Sequence, residues 1–133
     1  MLFRSWYYHE RGYCYVMLRR FEEAGTDFAK AVELNPNEWD NWARRGYASL
    51  RSGVHQKALA DYSKAIELSP KGSEPWCHRG SAYAELRQWD KAIADFAKAT
   101  WDDWRRALNR GEHERASELE AEFDALCALF QET

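Results

Sequence analysis

Glycine returns in this chain at a fixed interval, and each return carries the same neighbours. Gly12, Gly46 and Gly80 lie 34 residues apart. An arginine precedes each of them (Arg11, Arg45, Arg79), and a large aromatic stands four residues before (Tyr8, Trp42, Trp76). Downstream the order is alanine, aromatic, alanine: Ala24, Phe28 and Ala31, then Ala58, Tyr62 and Ala65, then Ala92, Phe96 and Ala99. A period of this length marks one supersecondary unit stacked on copies of itself, because a single unit cannot bury its apolar face alone.

The middle copy shows what the unit is. From Asp40 to Ser52, apolar residues recur at helical spacing through Trp42, Ala43, Tyr47, Ala48 and Leu50, and Gly53 then breaks the pattern. A second helical stretch, from His55 to Leu68, places Ala58, Leu59, Tyr62, Ala65, Ile66 and Leu68 on one face. Asn35-Pro36 and Ser69-Pro70 punctuate the ends, since proline cannot continue a helix. The unit is helix, tight turn, helix. Gly46 and Ala58 lack bulk where two antiparallel helices must approach, with Trp42 and Tyr62 filling space beside them. Glycine in a helix costs about 1 kcal/mol relative to alanine, so its recurrence at one register implies a packing reason.

These residues resemble the tetratricopeptide repeat. The first copy supplies Tyr8, Gly12, Tyr15, Ala24, Phe28, Ala31 and Pro36. The second supplies Trp42, Gly46, Ala58, Tyr62, Ala65 and Pro70, with Ser49 in place of the tyrosine. The third supplies Trp76, Gly80, Tyr83, Ala92, Phe96 and Ala99, with Trp104 in the proline slot. Arginine replaces the family's leucine in all three. The resemblance implies an all-α, right-handed α-solenoid of three helix-turn-helix units, with a concave groove that binds other proteins. The repeats fall at about 5–38, 39–72 and 73–106 of a single domain, 1–133, with a capping helix at about 112–131.

Trp104 leaves nothing to stop the last helix of the third repeat, and Phe96, Thr100, Trp104, Ala107 and Leu108 continue one face. The helix is expected to reach about Asn109 and end at Gly111; the alternative is a break at Thr100 with Asp103 in a capping box. Beyond it, Ala116, Leu119, Phe123, Leu126, Cys127 and Phe130 form an apolar stripe, and six acids between Glu112 and Asp124 form an outer face. Glu114 in the glycine slot and Leu126 in the alanine slot rule out a fourth repeat, and the segment reads as a polar-faced cap. At the front, Leu2, Phe3, Trp6 and Tyr7 are expected to pack on the first helix pair; the alternative is an exposed apolar patch suited to self-association.

Composition narrows the function classes. Aromatics make up 15% of the chain, including seven tryptophans, enough apolar area for a short chain to build a core. Net charge is −3, with residues 112–133 carrying seven acids against Arg115. Residues 1–20 carry Arg4, Arg11, Arg19 and Arg20 against Glu10, but a globally acidic chain argues against nonspecific nucleic-acid binding, which needs a basic face, and no run of 18 apolar residues argues for a membrane span. Cys14, Cys77 and Cys127 form no CxxC pair, which fits free thiols in a cytoplasmic, reducing setting. Cys14 and Cys127 are expected to be buried. His9, His55, His78 and His113 lack metal-ligand spacing, and neither a phosphate loop nor H-E-x-x-H is present. Cys77 and His78 are adjacent, and neighbours on a helix do not face each other. No catalytic, metal or cofactor site is therefore assigned, and the chain is not read as an enzyme.

In the family the first helix of each unit lines the groove. Carried over by register, that lining is Trp6, His9, Tyr13, Val16 and Met17, then Asp40, Ala43, Arg44, Tyr47 and Arg51, then Glu74, Cys77, His78, Ser81 and Glu85. One subgroup of the family clamps the terminal carboxylates of chaperone peptides with basic and amide side chains. Here those slots hold His9, Tyr13, Arg44, Glu74 and His78, and the negative charge of Glu74 opposes a carboxylate. The expected function is a scaffold or adaptor that binds a protein or peptide in the groove. The alternative is homo-oligomerisation through the aromatic front or the acidic last helix. The arginines beside the glycines are expected to lay their stems on apolar surface and reach water or nearby acids.

Overall fold

Each repeat closes on a left-handed turn. The computed structural model describes the backbone of residues 2–132 and the side chains of residues 4–122, 124, 125 and 128. Its helices are α1 (Leu2–Met17), α2 (Phe21–Leu34), α3 (Trp39–Arg51), α4 (His55–Leu68), α5 (Ser73–Glu85), α6 (Trp89–Asn109) and α7 (His113–Glu132), and no strand occurs among the described residues. The turns after α1, α3 and α5 place Arg19, Gly53 and Arg87 at φ 59°, 84° and 60°. The next residue then donates its N–H to the carbonyl five back: Arg20 to Tyr15 at 2.8 Å, Val54 to Ser49 at 2.9 Å and Gln88 to Tyr83 at 2.9 Å. This is the Schellman arrangement, which satisfies carbonyls a helix end leaves open. Gly111, at φ 75°, repeats it between α6 and α7, where Glu112 donates to Ala107 at 2.9 Å.

The helices gather into two compact units, Met1–Pro70 with the first two repeats and Lys71–Thr133 with the third repeat and α7. Within each repeat the recurring glycine faces the aromatic of the second helix. A Cβ on Gly12 would lie 2.9 Å from the Phe28 ring, and one on Gly80 would lie 3.0 Å from the Phe96 ring. On Gly46 it would meet the Ala58 carbonyl oxygen and the Tyr62 ring, both at 3.2 Å. The missing side chain thus admits a ring as well as a neighbouring backbone, and Phe28 and Tyr62 are 0% and 1% exposed as a result.

A second ladder runs beside the glycines. Arg11 donates from Nε and Nη2 to Asp27 at 2.8 Å each, Arg45 to Asp61 at 2.9 and 2.8 Å, and Arg79 to Asp95 at 2.8 and 2.9 Å. The three aspartates are no more than 4% exposed. Each guanidinium also lies over the aromatic three residues before it: Tyr8 at 5.6 Å, Trp42 at 4.9 Å and Trp76 at 5.1 Å. The bond to Asp95 holds Arg79 still more firmly protonated, against an opposing effect of burial, and Asp27 does the same for Arg11. The arginines therefore each reach a specific buried acid sixteen residues on, while the Arg11 side chain remains 45% exposed.

α6 runs unbroken through Thr100 to Asn109, and Asp103 pairs with Arg106 instead of closing a capping box. α7 lies against α6, where Ala107, Ala116 and Leu119 form a buried cluster with Trp104 beside it. Glu112, just before α7, and the acids from Glu114 to Asp124 on it are exposed.

Several side chains lie elsewhere than expected. Cys14 is exposed, because its position on α1 points away from the Phe28 contact. Trp6 and Tyr7 are exposed rather than packed on the first helix pair; α1 turns Ser5 inward in their place, where its hydroxyl donates to the Ala31 carbonyl. Leu108 is exposed, one position off the face that Ala107 presents to α7. The side chains of Leu2, Phe3, Phe123, Leu126, Cys127 and Phe130 lie outside the described residues.

Candidate functional site

In the first unit, α1 and α3 bring residues of two repeats onto one face. His9 Nδ1 lies 2.8 Å from Asn41 Oδ1, and His9 Nε2 lies 3.3 Å from Asp40 Oδ2. The amide nitrogen of Asn41 points to the Ala31 carbonyl at 3.5 Å and the Ser5 hydroxyl at 3.4 Å. A carbonyl only accepts, so the amide oxygen faces His9, and Nδ1 of His9 donates to it. Asp40 also pairs with Arg44 Nε at 3.4 Å, and the Arg44 guanidinium sits 5.5 Å from the centre of the Tyr13 ring. Ser5, Asn41, His9, Asp40, Arg44 and Tyr13 thus form one continuous strip across the two helices. A cavity of about 260 Å³ opens beside it, bounded by Trp6, His9, Glu10, Glu38 and Asp40.

Further along α3, Arg51 lies 5.4 Å over Tyr47, which also meets Phe21 of α2 edge-on at 6.2 Å. Met17 is 67% exposed at the end of α1. Two residues assigned to this lining belong to the interior. Val16 packs against Ala24, Phe28 and Ala48, and Ala43 is buried, because helices this close turn part of their inner faces toward each other.

In the second unit, α5 exposes Glu74, Cys77, Ser81 and Glu85 and half-buries His78. Partial desolvation pushes the Cys77 thiol up, and the carboxylates of Asp103, Glu122 and Glu74 add to the effect. A thiol held protonated is a poor nucleophile. Among the described residues, no three His, Cys, Asp or Glu side chains group as metal ligands, and no helix is long and apolar enough to cross a membrane.

Sequence reasoning missed Asn41 and Ser5, which organise His9. No periodic signal marks Asn41, since Tyr7 and Pro75 occupy its register in the other repeats. It also missed Asp27, Asp61 and Asp95, although these recur at the full repeat interval.

A family model described as tetratricopeptide repeat matches residues 5–38, another so described matches 40–71, and a third matches 61–94. The chain belongs to the tetratricopeptide repeat family. Its fold is the all-α tetratricopeptide repeat solenoid of solved relatives. The TPR2B domain of yeast Sti1, in complex with pHsp70, is 17% identical with a TM-score of 0.75, covering 96% of this chain and 98% of that one. The second TPR of Spaghetti (RPAP3), bound to the HSP90 peptide SRMEEVD, is 22% identical with a TM-score of 0.67, covering 72% and 89%. The crystal structure of MamA is 24% identical with a TM-score of 0.73, covering 81% of this chain, which spans 63% of the MamA chain. At these identities the likeness is one of fold. No curated protein sequence matches the chain significantly.

Proposed function

We propose that this tetratricopeptide repeat protein is an interaction adaptor that holds a peptide or helix of a partner protein against the α1–α3 face of its first unit. In the second unit, α5 presents the corresponding face. One observation carries the reading: His9, Tyr13, Asp40 and Arg44, from two different repeats, meet in a single strip whose members are ordered by mutual contacts yet remain open to solvent. Ordered, partly exposed tyrosine and arginine lose little rotamer freedom on binding, which is why such residues carry interface energy. A solved member of the family bound to an HSP90 peptide, and another in complex with pHsp70, support a peptide as the kind of ligand.

The ligand's chemistry differs from a terminal carboxylate. Asp40 already engages Arg44, and Glu74 on α5 is exposed, so acids sit where such a ligand needs cations. Trp6, Tyr13 and Met17 instead offer apolar and aromatic area to a partner's side chains. The free thiols Cys14 and Cys77 suit a cytoplasmic setting, and the protonated state of Cys77 suits a non-catalytic role.

Peptides selected from a random displayed library on the full chain test this reading. Tyr13→Ala and Arg44→Glu are each expected to weaken the selected peptide about tenfold, which is about 1.4 kcal/mol. Full affinity in both variants removes the α1–α3 face from the proposal. Self-association is the second reading, favoured by the exposure of Trp6, Tyr7, Met17 and Leu18 along α1 and the turn after it. A mass by light scattering that stays monomeric as concentration rises excludes it.

A further inference from the structure

The second unit carries an aromatic and acidic pocket on α6 and α7. Trp101 and Trp104 stand one turn apart on α6, with ring centroids 4.7 Å apart and planes inclined by 25°. Trp104 is anchored by the Ala107, Ala116 and Leu119 cluster, while Trp101 is 41% exposed. Glu120 and Asp124, one turn apart on α7, close a cavity of about 160 Å³ with the two rings.

Charge around this cavity is unbalanced. Among the described residues no cation pairs with Glu120 or Asp124. The nearby cations are engaged elsewhere: Lys98 and Arg105 with Asp102, Arg106 with Asp103, and Arg115 with Glu118. Residues 112–133 as a whole carry seven acids against Arg115. The volume is that of a cavity able to take a benzene-sized group, well under the ~300–1,000 Å³ of sites for whole small molecules. It suits the end of one side chain.

The chain itself shows which side chain such surroundings favour. Where a ring and a carboxylate converge, the close occupant is repeatedly arginine: Arg11 between Tyr8 and Asp27, Arg44 between Tyr13 and Asp40, Arg45 between Trp42 and Asp61, and Arg79 between Trp76 and Asp95. Lys64, between Trp42 and Glu67, is a lysine in such a place, and it stands farther from its ring, at 6.0 Å. The guanidinium suits both partners, lying flat on a π face while its fork of N–H groups meets carboxylate oxygens. We propose that Trp101, Trp104, Glu120 and Asp124 form a seat for an arginine side chain supplied by a partner protein. Complementary charge selects the residue, and the tryptophan pair sets the plane against which it lies.

The test uses the full chain, the peptide acetyl-Gly-Arg-Gly-amide, and the same peptide with citrulline, which keeps the planar shape and loses the charge. Indole N–H resonances of Trp101 and Trp104, assigned by substituting each with phenylalanine, are followed during titration. The arginine peptide should shift both resonances saturably, and the citrulline peptide should bind at least about tenfold more weakly. The double variant Glu120→Gln, Asp124→Asn should lose a similar factor. Both acids are exposed, so its circular dichroism should match the parent chain and a folding defect is told apart from a binding one. Raised salt should also weaken the shift. Equal response to both peptides, an undiminished response in the double variant, or no saturable response to the arginine peptide would overturn the seat.

Discussion

Arg19 and Arg87 stand in a backbone conformation that the middle repeat assigns to Gly53. All three close the same turn, at φ between 59° and 84°, yet only the glycine escapes the clash that a Cβ meets there. Both arginines are exposed, so replacing them loses little contact. Arg87→Gly is therefore expected to stabilise the chain by about 0.5–1 kcal/mol, and Gly53→Arg to destabilise it by a similar amount. Urea midpoints measure both; a lower midpoint for Arg87→Gly would mean that the added freedom of the unfolded chain outweighs the relieved strain. The sequence announces Gly53 and Gly111 as turn residues because glycine is the usual occupant of this conformation. Arginine carries no such signal, so two of the four identical turns are visible only in three dimensions.

Between helices, the repeat is fastened by two devices, and they differ in how readily the chain discloses them. Glycine against aromatic is readable from spacing, since an absent side chain and a large ring recur in step. The arginine–aspartate fastening is half readable. The arginines stand out beside the glycines, but Asp27, Asp61 and Asp95 sit among other acids on α2, α4 and α6, and their shared 34-residue interval gains its meaning only once each is seen buried against its arginine. The middle pair is the best one to break, because Arg45 is itself mostly covered, with its side chain 19% exposed. Asp61→Ala leaves that guanidinium without its carboxylate and is expected to cost about 2–3 kcal/mol, somewhat less than full burial would give. Adding Arg45→Met should recover part of the loss, since a buried pair exchanged for apolar groups is often tolerated. Thermal unfolding of the single and double variants checks the cycle; equal stability of Asp61→Ala and the parent would make the pair ornamental.

At the scale of the whole molecule, the three repeats are periodic and the rest is not, and that boundary also divides what could be read in advance. Helix order, the long α6 and the polar-faced α7 follow from patterns of one residue type per turn. The strip around His9 follows from no such pattern, because Asn41 and Asp40 meet α1 only once two repeats are stacked. In the second unit α7 packs on α6 as α3 packs on α2 in the first: it covers Ala107 and one side of Trp104 with Ala116 and Leu119. Burying Leu119 alone contributes about 1.5–3 kcal/mol. Leu119→Ala should accordingly cost about 2–5 kcal/mol. Removing residues 112–133 entirely should leave that face bare and drive concentration-dependent aggregation, followed by light scattering. A truncated chain that stays monomeric and keeps α5 and α6 helical would show instead that the second unit holds together without its last helix, and that the acidic face of α7 serves only what it binds.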